Sequence, residues 1–299
     1  MTAAGGQDVT EAQPGGGAIV RRMLVGAQLR RLRLEAGLTR EQAAEAIRAS
    51  AWKLHRLENG QVGFKDRDIA DLLALYGVTD ADQVAGLVEL AREANAPSWW
   101  SRYSDLLPPW VRAYIDLESA ASLIRTYQDQ LVPGLLQTED YLRAVIGGAH
   151  LGDTAEDAER RVALRMGRQA LLERTDGFLL WAVVEEAALR RPVGGPKVLR
   201  AQLERLIEAT ALPTVILQIL PLRVSAHAAM VGAFSILRFP EPDLPDVVYV
   251  EHLTSALYLD RRSDVDAYMA VMSRLEVVSA PPHQTVEFLS RILKQVDGA

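Results

Sequence analysis

Apolar and polar positions alternate along this chain with two different periods, and the change of period divides it. From about residue 23 the apolar residues recur every three or four positions, the spacing of helices with one buried face. The pattern predicts a helix over about Met23–Ala36, with Leu29 and Leu32 inward and Arg30, Arg31 and Arg33 on basic positions. Thr39 then precedes a new apolar period, and Gln42 follows three residues later, the spacing of a capping box. Ala43, Ala44 and Ile47 share one face of this second helix, and Ala44 is small enough to let another helix cross closely. A three-residue joint, Arg48-Ala49-Ser50, leads to a third short helix with Ser50 at its N-cap position. Leu54 and Leu57 face inward there, and Asn59-Gly60 ends the helix. Eight residues do not hold a helix together in water. This one must pack on its neighbours and display Trp52, Lys53, His55 and Arg56. Two further helices, about Lys65–Tyr76 and Asp80–Ala94, end at Gly77 and at Asn95-Ala96-Pro97.

Beyond residue 120 short β-branched and aromatic runs join the helices. Strands are predicted at Leu123–Tyr127, Phe178–Val184, Thr214–Leu220, Ala233–Phe239 and Val247–His252. Helices are predicted at Thr138–Val145, Ala155–Arg174, Lys197–Ala209, Ser263–Val277 and His283–Val296. Three of the five tryptophans, Trp99, Trp100 and Trp110, lie between the two regions, which marks a core seam or an interface rather than a linker. The expected fold is mainly α with an α+β C-terminal part: a five-helix, Cro-like helix-turn-helix domain followed by a mixed helix/sheet effector domain. Residues 1–19 are Gly-rich and read as a disordered tail, 20–95 as the DNA-binding domain and 96–299 as the effector and dimerisation domain.

Charge sharpens the first of these. The chain of 299 residues carries a net charge of −6, yet residues 21–78 hold 11 Lys+Arg against 7 Asp+Glu. The positive charge therefore sits where the short helices are, and an acidic remainder would orient the protein on DNA. So small a positive patch predicts weak binding by one copy and specific binding by a dimer.

The string GLTREQAAEAI, followed by SAWKLHRLENG, resembles the xenobiotic-response-element family of bacterial repressors, the lambda and Cro type, over roughly residues 22–78. That resemblance implies a recognition helix in the major groove, and a pairing of Arg33 with Glu58. It implies DNA-facing roles for Arg40, Ser50, Ala51, Trp52, Lys53, His55 and Arg56. Arg40 stands where the family often has a phosphate-contacting glutamine. Ala51 offers only a methyl contact, and Arg56 is placed for guanine, the commonest specific partner of arginine. Trp52 is open to two readings, stacking on DNA or folding back as core. Arg30 and Arg31 are equally open between phosphate contact and solvated surface. A second stretch, LPPW to the LVPGLLQTEDY ending at Tyr141, together with YVEHLTSALYLD near 249–260, looks like the effector part of WhiJ-type actinobacterial regulators. The resemblance implies a cytoplasmic regulator and a small protein partner encoded by a neighbouring gene. The alternative is an antitoxin-like interaction module that neutralises such a partner, with DNA binding as autoregulation.

Other chemistry is sparse. There is no cysteine, hence neither disulfide nor thiolate metal site, and the five histidines are scattered without metal-ligand spacing. No phosphate loop or nucleophile elbow is present, and Pro192-Val-Gly-Gly-Pro196 lacks the lysine and the spacing of one. Glu185-Glu186 and the group Glu251, His252 and Asp260 read as structural rather than catalytic. The expectations are no enzyme activity, cofactor or metal, no membrane span or signal peptide, and double-stranded DNA as partner of a homodimer. An effector pocket, protein or small-molecule, has Tyr127, Trp181 and Tyr249 as its candidates.

Overall fold

The computed structural model describes residues 18–149, 152–224, 226–230, 232–242 and 244–297. The expected tail therefore lies largely outside the described residues, as does His150. Ala18 and Ile19, assigned to that tail, instead open the first helix.

Five helices come first: α1 (Ala18–Glu35), α2 (Arg40–Ala46), α3 (Ala51–Glu58), α4 (Asp66–Leu75) and α5 (Ala81–Asn95). They enclose one core built on Val25, Leu29, Ala43, Ala44, Leu54, Leu57, Ile69, Leu72 and Ala91. Local signals set the ends. Thr39 and Gln42 bond reciprocally as a capping box, Ser50 Oγ accepts from the Lys53 amide at 3.1 Å, and Asp80 accepts from two amides of α5. α1 starts five residues earlier than its amphipathic pattern suggested. Its first turns bury Val20 and pack Ile19, Met23 and Leu24 on a different core, that of the C-terminal part. One helix thus serves two cores. A single apolar stripe marked only the half that faces its own domain.

The tryptophan-rich segment forms a 3-10 helix (Trp99–Leu106) and α6 (Pro109–Ala120), elements for which the sequence pattern had no assignment. Tyr103, Leu107, Ile115 and Leu164 form a small core there with Trp100 against it, so the stretch is a core seam. Trp100 Nε1 and Ser98 Oγ both donate to Asp116 Oδ1, at 2.8 and 2.7 Å.

The C-terminal part is a six-stranded mixed sheet in the order β3-β2-β1-β4-β5-β6. Its strands are β1 (Leu123–Gln128), β2 (Leu179–Glu185), β3 (Val215–Leu220), β4 (Phe234–Arg238), β5 (Val247–Glu251) and β6 (Ala256–Leu259). β1, β2 and β3 run parallel, whereas β4, β5 and β6 are antiparallel to their neighbours. Between β1 and β2 lie α7 (Glu139–Ala149) and α8 (Ala155–Arg168); between β2 and β3 lie α9 (Glu186–Arg190) and α10 (Pro196–Ala209). α11 (Arg262–Val278) and α12 (Thr285–Asp297) close the chain.

Side chains alternate across each strand, and two cores result. Ile124, Leu180, Ala182, Leu217 and Leu237 meet α10 and α12 on one face. Tyr127, Val183, Phe234 and Val248 meet Met272 and Leu275 of α11 on the other. β6, only four residues long, escaped the pattern. The helix expected over Ala155–Arg174 ends at Arg168 and tightens into a 3-10 turn, Gln169–Glu173. That turn buries Leu172 and presents its carbonyl to Thr214 Oγ1 at 2.7 Å.

Candidate nucleic-acid interface

The joint between α2 and α3 is held from inside by charge. Glu58, 3% exposed, receives Arg33 Nε at 2.5 Å and Nη2 at 3.2 Å, and Arg33 Nη1 bonds the Leu38 carbonyl at 2.7 Å. Arg40 Nε reaches the same carboxylate at 3.2 Å. Two guanidinium groups on one buried carboxylate leave no acceptor capacity wasted and fix α1, α2 and α3 in one arrangement. The Tyr76 hydroxyl lies nearby without a partner, and burial together with Glu58 pushes it up to about 12.

Gly26 makes this closeness possible, and the sequence pattern did not single it out. A Cβ there would stand 2.5 Å from the Leu57 carbonyl oxygen and 2.6 Å from that of Glu58. α1 therefore crosses the end of α3 backbone to side-chain-free backbone. Gly60, at φ +66°, leaves room for Met23 in the same way, since a Cβ would fall 2.6 Å from the Met23 amide. In the joint itself Arg48 takes φ +52°, the one non-glycine residue in the left-handed region among the described residues. It is exposed and stands two residues before the N-cap of α3.

With Leu54 and Leu57 buried, the outer face of α3 is as follows. Trp52 is 65% exposed, so it does not fold back as core. The Arg56 guanidinium lies over its ring, 4.7 Å from the centroid. Lys53 Nζ is held by Asp68 of α4 at 3.0 Å. The imidazole of His55 bonds the Asn59 side chain and lines a cleft shared with α1 and the start of α11, away from Trp52. Ala51 and Ser50 stand at the exposed or half-exposed start of the helix. Of the residues assigned to DNA, the structure places Ala51, Trp52 and Arg56 at one face of α3 with no partner from another element, leaves Ser50 engaged as the N-cap of that helix, and ties Arg40, Lys53 and His55 to partners within the protein. Arg30 is exposed, and Arg31 pairs with Glu35 at 3.3 Å.

Two family models match. Residues 24–87 match one described as Helix-turn-helix domain. Residues 111–291, more than half of the chain, match one described as Domain of unknown function (DUF5753). The chain belongs to the DUF5753 family. Its N-terminal helices are those of a helix-turn-helix DNA-binding regulator. No curated protein and no solved structure matches the chain.

The three residues offered for an effector pocket do not converge. Tyr127 and Trp181 occupy the sheet face under α11, and Tyr249 the opposite face. Tyr127 donates to Glu185, and Glu185 Oε1 also meets His227 Nε2 at 3.1 Å. Trp181 lies under the Arg125 guanidinium and donates to Gln218 at 2.8 Å. Strand alternation separates them, and spacing alone did not show which face each would take. Glu186 starts α9 and bonds Arg190 and the Leu222 amide, so it shares no site with Glu185. His252 and Asp260 are exposed and make no side-chain bond with Glu251 among the described residues. No helix of the described residues is long and apolar enough to cross a membrane, and none of them group as a metal site.

Proposed function

We propose that this protein is a sequence-specific transcriptional regulator that binds an inverted repeat as a homodimer, with α3 in the major groove. The observation that carries the reading is the Trp52–Arg56 pair. A two-thirds exposed tryptophan holding an arginine over its ring has no use for the fold of the isolated chain. An indole offers thymine methyls an apolar face, and a pre-placed guanidinium offers guanine a bidentate fork. Ser50 and Ala51 lie at the end of the helix that enters first, and the exposed Arg48 supplies a phosphate contact beside it. Arg33 and Arg40 act through Glu58 by fixing the angle of α3. Eight residues read only a few base pairs, which is why a second copy on a second half-site is needed.

The C-terminal sheet domain receives the signal that sets occupancy of the operator, without catalysing a reaction. The stretches that resemble WhiJ-type regulators overlap the DUF5753 match, and this overlap supports a place among such regulators and a small protein partner. As a regulator of the bacterial type it resembles, it acts in the cytoplasm. In a binding titration against its operator, Arg56→Ala lowers specific affinity by about 1–3 kcal/mol and relaxes selectivity at one base pair. Unchanged affinity and selectivity would remove Arg56 from the groove.

A further inference from the structure

Between α6, α8 and the ends of β1, β4 and β5 lies a cavity of about 470 Å³, the size of a small-ligand pocket. Its walls are about half polar and half apolar, the apolar half including Val111 and Tyr114 of α6, Val132, Leu164 and Tyr249. Tyr114 and Tyr249 are stacked, ring centres 4.2 Å apart, and give it a rigid side.

Three arginines of α8, at spacings of four and three, line the cavity from one helix face. Two are satisfied. Arg168 makes a bidentate pair with the buried Glu118, 2.7 Å at each contact. Arg161 bonds Asp153 and the Leu106 carbonyl, each at 2.6 Å. Arg165, between them, makes no hydrogen bond or close ion pair with any described residue, and the one opposite charge acting on it is that of Glu251, across the same cavity. Burial first, then the neighbouring Arg168, lowers its guanidinium to about 10. A second group is orphaned in the same cavity. Gln137 is 4% exposed and donates through Nε2 to the Val132 carbonyl, which leaves its buried Oε1 without a donor. A buried acceptor costs stability when unpaired, and the half-buried Arg165 beside it keeps every guanidinium donor free for a partner. A ligand that carries an anion and a donor satisfies both groups.

We propose that this cavity is a binding site for a small amphipathic organic monoanion, an aromatic carboxylic acid bearing one N–H or O–H donor. The carboxylate meets the fork of Arg165, the donor meets Gln137 Oε1, and the body lies against the Tyr114–Tyr249 stack. Glu251 also lines the cavity and interacts with the Tyr249 hydroxyl. Its charge selects against a dianion such as phosphate. The site stands on its own geometry. Its regulatory use rests on the reading above, because α6 packs on α1 and α1 carries the helix-turn-helix core.

The test titrates the full chain with 1-anilinonaphthalene-8-sulfonate, an aromatic anion with one N–H, and with uncharged N-phenyl-1-naphthylamine, following fluorescence. The expected result is saturable binding of the anion at one site per chain. Arg165→Gln weakens the anion at least tenfold and the neutral probe less than twofold. Arg165→Met also weakens it, and Arg262→Gln, on a side chain that is 95% exposed, changes neither probe. Absence of saturable binding, equal affinity of wild type and Arg165→Gln for the anion, or parallel loss of both probes would overturn the proposal. None of these readouts involves DNA, so failure of the DNA reading shows separately.

Discussion

Glu58 is the residue whose removal the arrangement of α1, α2 and α3 tolerates least. Its side chain is 1% exposed and holds Arg33, itself 6% exposed, and Arg40. Glu58→Ala leaves the Arg33 guanidinium buried with only the Leu38 carbonyl. Breaking a buried pair by deleting one member costs about 3–5 kcal/mol. Arg40 is 39% exposed and turns to water, so the cost falls at the lower end, about 3 kcal/mol. That corresponds to a roughly hundredfold larger population of the opened state of the region, since each 1.4 kcal/mol is about a factor of ten. Native-state hydrogen exchange at the amides of Leu54 and Leu57 reads it directly. The double variant Arg33→Met/Glu58→Met removes both buried charges and lies within about 1 kcal/mol of wild type. Exchange at α3 less than fivefold faster in Glu58→Ala, or a double variant as damaged as the single one, would refute the view that an uncompensated charge is what the pair prevents.

Three more changes test neighbouring parts of the account. Gly26→Ala drives a methyl group into the Leu57 and Glu58 carbonyl oxygens and lowers stability by at least about 1–3 kcal/mol in urea unfolding; a neutral effect would mean that α1 slides freely over α3. Arg48→Gly relieves the left-handed backbone of the joint and raises the urea midpoint by roughly 0.5–1 kcal/mol of stability, whereas a lower midpoint would show that the arginine side chain braces the turn. Trp52→Ala leaves Tm unchanged, because the ring is exposed, but frees Arg56 and weakens operator binding by about 0.5–1 kcal/mol; unaltered binding would end the case for a pre-placed guanidinium.

Much of this molecule was legible in the order of its residues. Thr39 with Gln42, and Ser50 ahead of a Leu54–Leu57 face, mark helix ends by chemistry that acts within four residues. The strands of the sheet are β-branched runs bounded by Pro and Gly, and five of the six stood out for that reason. The start of α1 did not, because Ile19 and Val20 belong to a core assembled by residues about a hundred and more positions away. α6 was hidden likewise, since its buried positions face α1, α8 and the cavity at once. At the site, the resemblance to Cro-type repressors implied the pairing of Arg33 with Glu58, but nothing local told that Arg40 would share the carboxylate or that Lys53 would turn to Asp68. The face taken by Tyr127, Trp181 and Tyr249 depends on strand register, which sequence spacing does not carry across a sheet. The unpartnered Arg165 is visible only once the acids that neutralise Arg161 and Arg168 have been placed.

The central claim is that α3 reads DNA through its Trp52–Arg56 face. Its most direct test is a gel-shift titration of the full chain on the region upstream of its own gene, beside unrelated DNA of equal length at physiological salt. The account predicts a discrete retarded complex containing two chains, on the upstream fragment alone, that Arg56→Ala weakens about 5- to 150-fold, the equivalent of 1–3 kcal/mol. Equal retardation of both DNAs, or an upstream complex indifferent to Arg56→Ala, would contradict it.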